Sequence, residues 1–250
     1  MRVWDVHPGY LSRTRLLGHH AEIHAIHSIL SKGKSGYRHH PETERWLKHL
    51  PALRRVHDLV VAEMFLRGYA HRSPLSGERA WAPHFPKYLE DPGVQLMRLK
   101  DKYQDGEVGR IPLPKRKTEL WAHHKYQVMT RGYQVYRAVQ THFRHHPDER
   151  LEVDARLVKG LIDQIRRPPC PPGFRTTRDH LWGYVSGSAS AKEAATYREK
   201  RDHPADVWAY LFQLASRYDV VYLLHQTCFA EIFPDTMTFV SPSSNGSDTP

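Results

Sequence analysis

Apolar residues recur at helical spacing along most of this chain, and the alternation a half-buried strand requires is nearly absent. Val3 to Tyr10 reads as extended or turn-like, with Pro8-Gly9 as the breaker. From about Ser12 to Ser31, Leu16, Ile23, Ile26 and Leu30 form one stripe. Lys32-Gly33-Lys34-Ser35-Gly36 then supplies the cations and glycine that suit a helix C-terminus. Pro41-Glu42-Thr43-Glu44 opens a helix to about Leu50. The next runs from Pro51, with Leu53, Val56, Val60 and Met64 on one face, to Arg67-Gly68. Residues 71–90 are irregular. A short helix follows near Gln95 to Tyr103, then a loop through Gly106, Gly109 and Pro112 to Lys115. Leu120 to Phe143 is expected to be one long helix, and Leu151 to Ile165 another. The prolines of Arg166 to Gly173 predict a stiff extended connection. Two or three helices fill the remainder, the last from Pro204 to about Phe229, and the polar tail Ser241 to Pro250 is expected to be disordered. The fold class is all-α: a compact helical domain with long irregular loops and an additional C-terminal helical region.

Charge changes this picture from a fold into a kind of partner. Lys plus Arg number 37 against 27 for Asp plus Glu, a formal charge of +10, with 19 histidines besides. Such an excess favours a polyanion, nucleic acid before acidic membrane. No uncharged apolar run approaches the roughly 18–20 residues that span a bilayer. The N-terminus lacks the apolar stretch of a secretion signal, so the expected location is cytoplasmic, at the nucleoid. Cys170 and Cys228 stand alone, without the spacing of a zinc ribbon or an iron–sulfur cluster.

Candidate chemistry concentrates near the start. The α-amine of a chain terminus titrates nearer neutrality than lysine, so it is available as a nucleophile for Schiff-base chemistry. Arg15, His19 and Glu22 share one helix face, with the small residues Gly18, Ala21 and Ala25 around the carboxylate. That leaves room for a bulky substrate, or for another helix beside an ordinary solvated acid. The stretch from His19 to His27 has histidines at helical spacing that could hold zinc, though not in the HExxH register; it reads equally as a wet basic face with His27 near the core. His39-His40, His123-His124 and His145-His146 are expected on the surface or facing DNA. Lys32, Lys34 and Arg38, and further on Lys115, Arg116 and Lys117, suit phosphate contacts or a solvated face. Tyr37 lies in a loop where it could stack on a base, while Trp46 and Trp121 suit the core.

Several segments then point to a family. Met1-Arg2, Leu11, Leu16-Leu17, Glu22, Lys32-Gly33-Lys34 and Leu66-Arg67-Gly68-Tyr69 resemble the pyrimidine-dimer DNA glycosylase (phage endonuclease V) family over roughly the first 75 residues. Trp4 to Leu11, Gly36 to Thr43, Gly109 to Lys115 and Leu120 to Tyr126 resemble its longer bacterial members. The resemblance implies a metal-free glycosylase with coupled AP lyase activity. The amine of Met1 would attack C1′ of a damaged nucleotide, Glu22 would assist as acid or base, and Arg2 would hold a phosphate or keep the amine neutral. The bulky Arg2 implies that Met1 is retained. Where the family carries arginines beside and after the acid, this chain has Ala21 and Ala25, with His19 at a usually acidic or neutral position. Arg15, His20 and His24 would replace part of that charge.

The expected organisation is a glycosylase/lyase domain over 1–150, a C-terminal helical extension over 151–235 and a tail over 236–250. The expected partner is double-stranded DNA with a damaged base, bound by a monomer without cofactor or membrane. The competing functions are a metal-dependent nuclease built on the His19–His27 cluster and a non-catalytic nucleic-acid-binding helical protein.

Overall fold

The chain begins with an extended segment that is almost wholly buried: Val3, Trp4, Val6, His7 and Pro8 to Ser12 all lie inside. The computed structural model describes residues 1–77, 83–103, 106–144 and 155–231, among which there are helices and no strand. The all-α expectation is therefore correct. A 3-10 turn at Pro8–Tyr10 leads into α1 (Arg13–Lys32). The Ser12 hydroxyl caps α1 by accepting from Arg15 N, and Gly33 ends it at φ 64°, the left-handed conformation a side chain resists. Next come α2 (Pro41–Trp46), capped by the His40 ring, and α3 (Leu50–Leu66), then α4 (Pro92–Lys102). The chain continues through α5 (Lys117–Met129), α6 (Tyr133–Arg144), α7 (Ala155–Ile165), α8 (Pro171–Val185), α9 (Ala191–Lys200), α10 (Pro204–Arg217) and α11 (Val221–Leu224). None of these is long and apolar enough to cross a membrane.

Two apolar clusters make the core. One gathers the terminal segment with α1, α3, α4 and α7, through residues such as Val3, Leu11, Ile23, Leu53, Leu99 and Leu161. The other joins Phe174, Leu181, Trp208, Leu211 and Phe229. Helix α5 serves both, giving Leu120 and Val128 to the first and Tyr126 and Met129 to the second.

Buried ion pairs fix the terminal segment in this core. Asp5 Oδ1 accepts from Arg45 and Arg166, each at 2.5 Å, while Gln95 bonds both its backbone N–H and its Oδ2. Fully buried Glu63 accepts from Arg67 (2.8 Å) and from both Nε and Nη2 of Arg110. Arg67 in turn donates to the carbonyls of Pro8 and Gly9, and Arg110 to those of Leu224 and Gln226. Removing one member of such a buried pair costs roughly 3–5 kcal/mol. Ile111 N donates to Gly9 O at 2.9 Å, and a Cβ on Gly109 would sit 2.4 Å from that oxygen. Only glycine lets the two loops approach so closely. The Gly109-Arg110-Ile111 motif is thus a clamp on the terminal segment.

Three helix assignments differ from the sequence expectation. Leu120 to Phe143 is broken into α5 and α6 at Gly132, which takes φ 114°. Gly173 docks at the break, where a Cβ would meet Thr130 O at 2.5 Å, and Cys170 N bonds the same carbonyl. The prolines at 171 and 172 do not keep the chain extended; they start α8, where a missing N–H costs nothing. The last expected helix ends at Arg217, because Asp219 adopts φ 48° before α11 and a 3-10 turn at Thr227–Ala230. The domain boundary at 150, the His145-His146 pair and the tail lie outside the described residues.

Candidate active site

The buried terminal segment brings the first residue to a defined place. Met1 packs against the first core cluster, and its sulfur receives the Thr43 hydroxyl at 3.9 Å. Its amine lies 3.5 Å from His40 Nε2. The other nitrogen of that ring, Nδ1, accepts from Glu42 N at 3.1 Å in capping α2. A neutral His40 therefore carries its proton on Nε2, the tautomer able to donate to an unprotonated amine. Tyr37, three residues earlier, contacts the same ring edge-on at 6.3 Å. It is 71% exposed and sits at φ 53°, a conformation uncommon for a bulky residue. The α1–α2 connection thus runs from an exposed aromatic through an imidazole to the terminal amine.

Around the amine is a cavity of about 260 Å³, lined by Met1, Arg2, His40, Glu42, Glu90 and neighbouring residues. Its carboxylates are engaged. Glu42, 5% exposed, accepts from Arg45 and from the indole of fully buried Trp46. Glu90 pairs with Arg2 (2.7 Å) and Arg98 (2.6 Å), which hold its carboxyl below the usual range against the opposing effect of burial. Arg2 also lies 5.0 Å from the Trp4 ring. Sequence reasoning expected His40 only on the surface or facing DNA, not at the amine, and missed Glu42 and Glu90. His40 and Glu42 fall within the quoted Gly36–Thr43 motif, but their spacing read only as a helix start.

Met1 and Arg2 are brought together around this cavity, and Tyr37 is linked to it only through its ring contact with His40. Glu22 is not among its lining residues. It is half-buried on α1 and makes no hydrogen bond or ion pair with a described residue. Lys32 at the end of α1 is exposed, as are Lys34 and Arg38 on the connection that carries Tyr37 and Lys115 and Arg116 before α5. Arg15 is partly exposed beside Glu107, at 3.5 Å, and over the Tyr103 ring.

Other expected contacts are not on the surface. His19 is 2% exposed, with both ring nitrogens unpartnered, and lines an internal cavity of about 60 Å³ with Asp5, Arg55, Gln127, Arg166 and Glu231. On α1 it stands at the border between the stripe of Leu16 and Ile23 and the face of Arg15 and Glu22, three or four residues from each, and it turns inward. Burial pushes its pKa down to about 3, partly opposed by Asp5. Lys117 is likewise inside, at the start of α5. His123 and His124 are buried as well. The Tyr10 hydroxyl bridges His123 Nδ1 (3.1 Å) and His124 Nε2 (3.0 Å), so these rings are core and cannot face DNA. Trp46 is core as expected, and Trp121 stacks on Phe143. His20 and His24 are half-buried and turn toward α3 and the segment after it.

Residues 1–76 match the family of pyrimidine dimer DNA glycosylases. The matched segment contains Met1, Arg2, Glu22, Tyr37 and His40. Comparison with the curated proteins and with the solved structures gives no match. The match covers less than a third of the chain and supports the family resemblance in the sequence.

Proposed function

We propose that this protein is a pyrimidine-dimer DNA glycosylase with coupled AP lyase activity, in which the amine of Met1 is the nucleophile. The observation that carries this reading is the anchored terminus. A frayed end is the default for a chain, yet here residues 3–4 and 6–12 are buried and clamped, and the amine is held beside His40 at the edge of a cavity. The unprotonated amine would attack C1′ of the damaged nucleotide as the bond from C1′ to the base breaks and the base leaves with a proton. The sugar ring opens to an imine between C1′ and Met1. Loss of a proton from C2′ then expels the 3′ phosphate and nicks the strand, and water releases the amine. Atoms and charges balance with water as the only co-reactant.

In the family resemblance Glu22 on α1 is the assisting carboxylate, and its lack of a committed partner among the described residues supports that role. Glu42 and Glu90 are tied to arginines and to an indole, whereas Glu22 is free to stabilise the oxocarbenium-like sugar and then to move protons. Arg2, already paired with Glu90, would bind phosphate. Tyr37, with Lys32, Lys34 and Arg38 around it, would stack on a displaced base while the cations hold the backbone. In the same reading Arg15, Lys115 and Arg116 add phosphate contacts, the chain acts as a monomer on double-stranded DNA, and its place is the cytoplasm.

Borohydride trapping on duplex DNA carrying a pyrimidine dimer tests this directly. Protein with a native terminus should give a covalent adduct that maps to Met1. Glu22→Gln should bind the same DNA yet form adduct at least about 100-fold more slowly, the usual range for a lost acid–base group. Tyr37→Ala should weaken binding by about 5- to 100-fold, as for a lost stacking platform. An adduct on a lysine, or none at all, would remove the amine from the mechanism.

A further inference from the structure

Four histidines from three parts of the fold converge on one point outside the candidate active site. His20 and His24 are one turn apart on α1, His57 comes from α3 and His71 from the segment that follows α3. One ring nitrogen from each lies within 4.8 Å of the other three. Ring centroids stand 4.5 Å apart for His20 and His24, and 5.0–5.2 Å apart for His20–His57, His20–His71, His24–His57 and His57–His71. His20 Nε2 and His71 Nε2 are 3.0 Å apart.

We propose that His20, His24, His57 and His71 form a four-histidine site for a divalent transition metal of the zinc class. The nitrogens are already oriented for it. His57 is 1% exposed; its Nδ1 lies 3.2 Å from Asp58 Oδ1, while its Nε2 is buried without a partner among the described residues. A carboxylate on one ring nitrogen with the other directed at the metal is the usual outer-shell arrangement of a metal-binding histidine. The Nε2 of His24 is also buried and unpartnered, and the Ser73 backbone hydrogen-bonds that ring. Two orphaned nitrogens facing two that touch each other are costly in a protein interior unless something satisfies them. A tetrahedral ion with bonds of about 2.0–2.1 Å would do so, with ligand nitrogens about 3.4 Å apart. Side-chain rotation closes that gap from the present spacing.

Metal binding requires neutral imidazoles. All-imidazole ligation suits zinc, cobalt, nickel and copper rather than magnesium or calcium. Four protein ligands fill a tetrahedral site, which marks a structural ion that pins the irregular segment after α3 to α1 and α3. Glu22 lies two positions from both His20 and His24, roughly 200° around α1, so the ion sits away from the proposed chemistry.

The test uses the full chain without a histidine tag. Elemental analysis of the purified protein should find one zinc-class ion per chain. After chelation, Co²⁺ should restore the visible spectrum of a tetrahedral nitrogen site, and Zn²⁺ should bleach it. Zn²⁺ at a hundredfold excess over Kd should raise Tm by about 5–10 °C. Asp58→Asn should weaken Co²⁺ binding by about 10- to 100-fold and His71→Asn by at least as much. A chelated protein that takes up no Co²⁺, gives only a hexaaqua-like spectrum, or binds equally well with His71→Asn would refute the site. If His71→Asn does not fold, the titration of the unaltered chain decides alone.

Discussion

Acetylating the Met1 amine, or placing one residue before it, is expected to lower strand incision by at least about 10³-fold while leaving DNA affinity within about twofold. Loss of a covalent nucleophile can cost about six orders of magnitude in turnover, so the stated bound allows for incision at sites where the base is already gone. The argument rests on how the terminus is held. Val3 and Val6 are buried, Asp5 is tied to Arg45, Arg166 and Gln95, and the Pro8-Gly9 carbonyls are held by Arg67. The segment cannot slide to present a new amine at the same point. An added residue would have to enter the cavity beside Arg2, His40 and Glu90, and the nitrogen of Met1 would become an amide with no basic lone pair. Affinity should survive, because the exposed cations at Lys32, Lys34, Arg38, Lys115 and Arg116 are untouched. Gel-shift binding and single-turnover incision, measured on the same dimer-containing duplex, separate the two effects. Incision by the blocked protein at the native rate would exclude the terminal amine from the chemistry.

Much of the architecture was legible because local signals and burial agree. The stripe of α1, the proline that opens α2 and the apolar face of α3 each specify a helix on which the core also insists. The errors come from places where a distant part of the chain decides. Gly132 looks like a tolerable glycine among Tyr126, Met129, Tyr133 and Tyr136, and only the docking of Gly173 makes it a break. The side of α1 on which His19 falls could not be read either. A residue near the border of the apolar stripe can fall on either side, and here it turns inward beside Asp5 and Arg166 without gaining a hydrogen bond among the described residues.

The candidate site divides in the same way. Met1, Arg2 and Tyr37 are candidates that the sequence offers by itself, but the place of His40 beside the amine is not: its capping of α2 is a local signal, while its contact with the amine depends on how the terminal segment threads the core. The histidine cluster is a stronger case. The α1 spacing suggested ligands from His19 to His27, yet His19 points into the core and the partners of His20 and His24 come from α3 and the loop beyond it. No periodicity within one helix could have named His57 and His71.

The buried histidines also make stability strongly dependent on pH. His7, His19, His123 and His124 are each at most 8% exposed. Burial is the largest cause in every case, lowering His19 to about 3 and His123 to about 4. Arg110 and Arg67 add to the effect at His7, as do His7 and His123 at His124. In the unfolded chain all four would titrate near 6.5. Their folded values lie lower, so the unfolded state binds more protons on acidification, and stability present above about pH 6.5 is lost as the pH falls toward the folded values. Each group contributes about 1.4 kcal/mol per pH unit across that window, or roughly 5–6 kcal/mol per unit for the four together. Against a typical stability of about 5–15 kcal/mol, this should unfold the protein between about pH 4 and 5.5, at or above the range where most carboxylates titrate. Denaturant melts at pH 7.5, 6.5 and 5.5, each followed by helical circular dichroism, give the slope. His19→Leu provides the internal check. Both nitrogens of His19 are unpartnered, so an apolar side chain loses no hydrogen bond, and the slope should fall by one proton while stability at pH 5.5 rises. A stability that stays level from pH 7.5 to 5.5, or a His19→Leu variant with an unchanged slope, would show that these rings are not held neutral by the fold.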